Sequence, residues 1–402
     1  MDLRSGIPFW LINSGLVEVY PPLDGDQRAD VTLIGGGISG ALLADRLSAA
    51  GLEVVVLDKR DIGQGSTCAS TSLLQYELDV EMRELAGRVG EEAAARCFRL
   101  GLEAIDELQE LIAALPSDGL GACGFARRPS LYRASRRSHV KRLQQECELR
   151  QRHGFDVAWW DESRLAETRF PAPGAIFSQG DGEVDAYQLT HAALGKARRQ
   201  GARVYDRTEV TRVETGGERL RLHTPRGIVS CREVVYCTGY ESAKYLRRPL
   251  GNLQSTYALA TEPCGTIAGW PERCLVWETA RPYTYLRTTA DGRIIIGGYD
   301  TPYATDHAQA GRLAAKTRKL RAKLDGWFPD LNLGPAFAWA GVFGESTDGL
   351  PYIGSPPEMP HAWFALGYGG NGITFSAIAA RLLTDLILGR PNPDARLFGF
   401  DR

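Results

Sequence analysis

The sequence predicts an α/β fold, α+β in its mixture, built from two lobes that interleave along the chain. Three observations carry this expectation. Near the start, "ADVTLIGGGISGALLADRLSAAGLEVVVLDKR" reads as strand, glycine turn, helix and strand. Residues 274 to 299 contain "VWETARPYTYLRTTADGRIIIGG", an antiparallel hairpin with its turn at Ala290-Asp291-Gly292. A second glycine-rich helix entrance, "GYGGNGITFSAIAARLLTDLI", comes more than 300 residues after the first, with no internal repeat or low-complexity linker between them. At 402 residues the chain exceeds one ordinary core.

Composition narrows the classes. The chain is 44% hydrophobic and 24% charged with a formal net charge of −2, so it has no global attraction for nucleic acid or acidic membranes. No apolar run approaches the roughly 18 residues that span a bilayer. Eight cysteines are scattered without a Cys-x-x-Cys pair, which suits reduced thiols and a cytoplasmic location. Six isolated histidines make no metal-ligand spacing, and no metal site is expected.

Each element follows in order. Residues 1–27 read as an N-terminal arm lying on the protein. Val31 to Ile34 is a short apolar run, as in a strand buried on both faces. Leu43, Leu47 and Ala50 recur at helical spacing, Gly51 suits the helix end, and Val54 to Leu57 is the next strand. Residues 78–115 and 136–153 read as mostly helical. Short strands between about 200 and 240 end in "REVVYCTGY", and a helix is expected at about 310–325, with Leu313, Thr317, Leu320 and Leu324 on one face. The basic stretches at 127–153 and in "RLAAKTRKLRAKLDGWF" suit solvated helix faces.

Gly35, Gly37 and Gly40 form G-x-G-x-x-G between strand and helix, and Asp58 closes the next strand 18 residues on. Gly35 allows the tight turn, Gly37 lets backbone approach a pyrophosphate, and Gly40 lets helix and strand pack closely. The helix entrance, with Ile38 and Ser39, presents N–H groups and a partial positive charge to a diphosphate. Asp58 can accept from a ribose hydroxyl, with Lys59 beside it. The loop "DIGQGSTCASTSLLQYELD" then offers Ser66, Thr67, Ser70, Thr71 and Ser72 where a cofactor longer than NAD would continue; the same residues would also suit a capping loop.

In these motifs, and in "VVYCTGY", "RPYTYLRTTADGRIIIGG", "DGLPYIG" and "GYGGNGITFS", the chain resembles the D-amino-acid oxidase/glycine oxidase superfamily of FAD-dependent oxidoreductases. Within it, the resemblance is to bacterial amine and amino-acid oxidoreductases, such as those acting on γ-glutamylputrescine. It implies a Rossmann-type FAD-binding lobe assembled from 28–80, 180–245 and 344–402. A substrate lobe on an antiparallel sheet would comprise 81–179 and 246–343. It also implies that Val210 meets the adenine, that Thr238, Gly239 and Gly341 lie near the cofactor, and that Gly370, Asn371, Gly372, Ile373 and Thr374 cradle the flavin ring. Backbone N–H groups there would stabilise charge on the reduced ring.

Period-two alternation puts Tyr283, Tyr285 and Arg287 on one strand face. The resemblance implies that this strand covers the flavin and that Tyr285 meets substrate. Relatives that oxidise amino acids clamp the carboxylate with an arginine where this chain has Phe343. A phenyl ring cannot replace a guanidinium. Glu345 nearby could attract an ammonium group, or be a solvated loop carboxylate. Residues 341–354 contain no cysteine, so the FAD is expected to be non-covalent. The lysine that some relatives hold over the flavin corresponds to Ile295, which leaves oxidase and dehydrogenase both open.

The expected activity is oxidation of the C–N bond of an amine or amino acid by hydride transfer to flavin N5, the imine then hydrolysing in water. O2 or another carrier would be the electron acceptor. Such chemistry proceeds by placement, without a dedicated base. A hydroxy-acid dehydrogenase of the same fold, or a flavin-bearing assembly subunit without turnover, are the alternatives. His191, on an apparent helix, is expected to be structural.

Overall fold

The computed structural model describes residues 3–115, 122–215, 217–246 and 251–402. Its centre is a six-stranded sheet in the order Tyr352–Gly354, Ala362–Leu366, Glu233–Tyr236, Val31–Ile34, Val54–Leu57, Arg203–Tyr205. The last five run parallel and only Tyr352–Gly354 is antiparallel. Val31–Ile34 and Val54–Leu57 are buried at every position, which is why they read as unbroken apolar runs. Helices Ile38–Ala49, Ala186–Arg199 and Gly372–Ile387 pack together over one face of this sheet. The other face meets a four-stranded sheet, Arg212–Glu214, Leu220–Thr224, Gly227–Cys231 and Gln27–Arg28, through Leu57, Val229, Leu222 and Val234.

The second large unit is a ten-stranded, mainly antiparallel sheet. Its path runs Arg4–Gly6, Pro335–Glu345, Asn252–Thr261, Ile294–Pro302, Thr284–Thr288, Leu275–Glu278, Ala126–Arg133, Gly174–Glu183, Leu73–Leu74, and Val157–Asp161 pairs beside Gly174–Glu183. The hairpin expected at 274–299 is thus three strands, with Thr284–Thr288 between the other two. Helix Asp306–Trp327 closes the outer face, burying Leu320 and Leu324; Lys316 and Lys323 reach in to the Tyr299 carbonyl and to Glu278, while Arg312, Arg318 and Lys319 are exposed. Strands Gly174–Glu183 and Pro335–Glu345 cross the expected lobe boundaries at 179/180 and 343/344, so those boundaries fall inside continuous strands of one sheet.

The helical stretch expected over 78–115 is two helices, Met82–Val89 and Glu91–Ala113, broken where Gly90 takes φ +92°. The arm does more than lie on the surface. Arg4–Gly6 pairs with Gly341, Ala340 and Trp339, and the short helix Phe9–Ser14 buries Phe9 and Trp10. All eight cysteines are free. Among the described residues, no helix is long and apolar enough to cross a membrane, and no group of three or more His, Cys, Asp or Glu is placed to hold a metal ion.

Candidate active site and cofactor cleft

One continuous cleft runs from the ends of the parallel strands to the inner face of the ten-stranded sheet. At its first end, Gly35 has φ +113°, and a Cβ there would lie 2.3 Å from the carbonyl oxygen of Cys237. A Cβ on Gly40 would lie 2.0 Å from the carbonyl oxygen of Gly35. Strand and helix therefore meet only through glycine. Helix Ile38–Ala49 opens onto this end, with Ile38 and Ser39 in the lining. Thr67 Oγ1 accepts the Ile38 N–H at 3.0 Å, while Ser39 and Gly40 occupy first-turn positions whose N–H groups have no intrahelical acceptor.

Asp58 first holds its own turn. It accepts Gly36 N–H at 2.7 Å on Oδ2 and Arg60 N–H at 2.8 Å on Oδ1, and each oxygen keeps a further lone pair for a ribose hydroxyl. Lys59 and Arg60 pair with Glu241 at 2.7 and 3.1 Å, closing the end that Val210, Thr238 and Gly239 also line. No motif marks Glu241 in the sequence.

The hydroxyl-rich loop puts Ser66, Thr67, Ser70 and Thr71 in the lining. Two indoles hold it from behind. Trp10 Nε1 donates to the Ser70 carbonyl at 2.7 Å, and Trp339 Nε1 to the Ala69 carbonyl at 2.8 Å. Ser72 departs from expectation: it takes φ +60°, lies outside the lining, and turns its carbonyl to Arg287.

At the far end, Gly370, Asn371, Gly372 and Ile373 line the cleft where helix Gly372–Ile387 begins. The Asn371 amide donates to the Glu77 and Gln75 carbonyls at 2.8 and 3.2 Å, and Thr374 Oγ1 donates to Gln75 at 3.2 Å. Thr374 thus secures the helix entrance without lining the cleft. Gly370 N–H, expected to face a flavin, instead donates to Asp79 Oδ2 at 2.7 Å. Gly372 and Ile373, in the first helical turn, keep their N–H groups clear of intrahelical acceptors.

The inner sheet face brings Tyr283, Tyr285, Phe343, Gly341, Thr256 and Trp277 to this end. Tyr285 lies over Gly297, where a Cβ would come within 2.6 Å of its ring, and its hydroxyl is 3.2 Å from Thr256 Oγ1. Tyr283 donates to Asp79 Oδ1 at 3.0 Å. The Trp277 indole, 4% exposed and stacked on Tyr132, has an Nε1–H without a hydrogen-bond partner among the described residues.

Three expectations about this end are corrected. Arg287 is 2% exposed and outside the lining; its guanidinium donates to the Ser72 and Val184 carbonyls at 2.7 and 2.9 Å and pairs with Glu183 at 3.3 Å. The strand face it shares with Tyr285 runs beyond the cleft and under the Trp10 ring, 5.4 Å away. Ile295, opposite Arg287, packs with Phe9, Trp10 and Trp339 and is outside the lining. Glu345 is exposed and outside the lining, its pKa raised by partial burial and then by Asp79.

Among the carboxylates of the cleft that sequence reasoning missed, Asp79 and Asp300 stand beside the two tyrosines. Asp300 lies in a β-bulge, where it and Tyr299 together oppose Thr256. The register between Asn252–Thr261 and Ile294–Pro302 shifts between Ser255 and Tyr257, and Tyr299 takes φ +56°. The Gly297-Gly298 pair inside a strand was the available signal for that bulge. Burial, more than the neighbouring Asp79 and Glu345, raises the Asp300 carboxyl to about 6, against a lowering hydrogen bond from Thr256. His191 lies elsewhere, buried beside Tyr20 and Tyr187, with its pKa depressed to about 4 by desolvation.

A glycine-closed helix entrance, a ribose acceptor, a hydroxyl-rich loop and a second helix entrance along one cleft suit a dinucleotide carrying a ring system at its far end. That fold and site define a two-lobed flavoprotein oxidoreductase. Residues 30–386 match the family model for FAD dependent oxidoreductases, and the chain belongs to that family. It is 26% identical to glycine oxidase of Bacillus subtilis (strain 168), over 90% of this chain and 94% of that protein. It is 26% identical to gamma-glutamylputrescine oxidoreductase of Escherichia coli (strain K12), over 92% and 87% respectively. The structure of glycine oxidase from Geobacillus kaustophilus shares the fold at TM-score 0.74 and 21% identity, covering 91% of this chain and 96% of that one. FAD is accordingly the cofactor and oxidation–reduction the chemistry.

Proposed function

We propose that this enzyme oxidises the C–N bond of an amine that it recognises as a cation, with no requirement for a substrate carboxylate. The observation that carries this reading is the make-up of the inner end of the cleft: Asp79 and Asp300 stand among Tyr283, Tyr285 and Phe343, while Arg287 is sealed outside it. Similarity to a glycine oxidase and a gamma-glutamylputrescine oxidoreductase supports nitrogen-bearing substrates.

FAD, when bound, supplies the two-electron acceptor. Gly35, Gly37, Ser39 and Asp58 would hold its nucleotide part, Ser66 to Thr71 its middle, and Gly372 and Ile373 its ring, with no covalent link. The ten-stranded sheet is then the substrate lobe, Tyr285 shaping the cavity and Asp79 and Asp300 drawing the amine in. Unpaired thiols throughout support a cytoplasmic place of action.

The test is anaerobic mixing of the FAD-loaded enzyme with amines, D- and L-amino acids, N-methyl amino acids and hydroxy acids while flavin absorbance is followed. Bleaching by amines, with amino acids slower than their decarboxylated counterparts, is the expected result. Bleaching only by hydroxy acids, or equally by amino acids and amines, overturns the reading.

A further inference from the structure

We propose that Asp300, turned into the cleft by the β-bulge at Tyr299, holds the substrate's ammonium group and takes its proton. The proposal rests on the amine reading above and adds a base to a reaction otherwise attributed to placement alone.

Four observations converge on Asp300. Tyr299 is neither glycine, Asn nor Asp, yet adopts a left-handed conformation, a strain that a fold retains where it re-aims a neighbour. The carboxylate lines the cleft beside Tyr285 and Thr256. Thr256 is near enough to lower the carboxyl's pKa, whereas Oδ1 is buried without a hydrogen-bond partner among the described residues. An unpaired buried acceptor is costly, and an ammonium held at the side of the carboxylate that lines the cleft would offset its charge.

The proton balance is simple. An ammonium has no lone pair to assist loss of hydride from its carbon, so one N–H bond must break first. The proton passes to the Asp300 carboxylate, leaving neutral amine beside a neutral carboxyl group, with no net exchange with water. The charged and titratable groups facing Asp300 are Asp79, Glu345 and Lys316, with Tyr283 and Tyr285 on the adjoining strand. The two carboxylates keep Asp300 a better base, and burial poises it near 6, close to the value that general-base catalysis favours at neutral pH.

The pH dependence of flavin reduction provides the test. With Asp300 as base, the ratio of reduction rate to amine dissociation constant is level from about pH 6.5 up to the pKa of the amine and falls below about pH 6. Without it, only free neutral amine reacts, and the ratio climbs about tenfold per pH unit over that range. We expect the level profile for wild type with whichever of n-butylamine, benzylamine or putrescine reduces it fastest. Asp300→Asn should show the climbing profile and roughly 100-fold slower reduction at pH 7. Asp300→Glu should retain a level profile at reduced rate. A climbing wild-type profile, or identical profiles for wild type and Asp300→Asn, overturns the proposal. If no amine reduces the wild type, the functional reading has failed, and binding decides the role of Asp300. A rise in melting temperature with 50 mM n-butylamine that Asp300→Asn loses supports it, and an equal rise in both overturns it.

Discussion

Arg287 and Asp300 stand on paired strands and have opposite fates. Alternation along "RPYTYLR" correctly put Arg287 on the face of Tyr285, but two residues further along the strand that face has passed from the cleft to the underside of the arm helix. Alternation reports a face, not where the cavity ends. Arg287→Ala should therefore cost about 3 kcal/mol of stability, by leaving Glu183 buried with only Arg128, and leave amine affinity unchanged. Denaturant unfolding and anaerobic titration measure the two effects; a weaker amine affinity at unchanged stability would return Arg287 to the site. His191 shows the other side of burial. Its folded pKa of about 4 lies below the unfolded value near 6.5, so the unfolded state binds the extra proton and stability falls as pH drops from 6.5 to 4, by up to about 3 kcal/mol. His191→Gln should flatten that part of a melting-temperature profile. An equally steep acid limb would assign the loss to other groups.

At the scale of elements, both glycine turns were legible because each needs a residue type with a physical reason. Gly35 and Gly40 admit no Cβ, and helix starts follow each turn. The supports of the hydroxyl-rich loop were not legible. Trp10 and Trp339 come from segments more than 300 residues apart, and nothing local marks an indole as a donor to Ser70 or Ala69. Asp79 was hidden for the same reason, since its partners Gly370 and Tyr283 are distant in sequence. Trp10→Phe removes one hydrogen bond worth about 1 kcal/mol, so FAD affinity should fall roughly fivefold with the fold intact. Fluorescence titration of the apoprotein with FAD checks this. Unchanged affinity would mean the loop holds its shape without the arm.

Across the whole molecule, the cleft is walled by both large sheets, and its lining draws on residues from Leu3 to Ser376. Neither sheet can present a finished cofactor site alone. FAD at about 100 times its dissociation constant should thus add about 2.7 kcal/mol to a single unfolding transition, rather than raise one of two separate ones. Calorimetry with and without added FAD distinguishes these, and a split endotherm with one mobile component would show that the sheets unfold independently.

The pairing of Arg4 with Gly341 carries a consequence for how the protein is made. During synthesis the arm strand has no partner until the strand Pro335–Glu345 has left the ribosome, and the Trp10 pin closes on a loop whose other indole, Trp339, arrives equally late. Contacts spanning so much of the chain form slowly. A nascent chain stalled before residue 335 should therefore be unable to retain FAD, whatever the state of its first glycine turn.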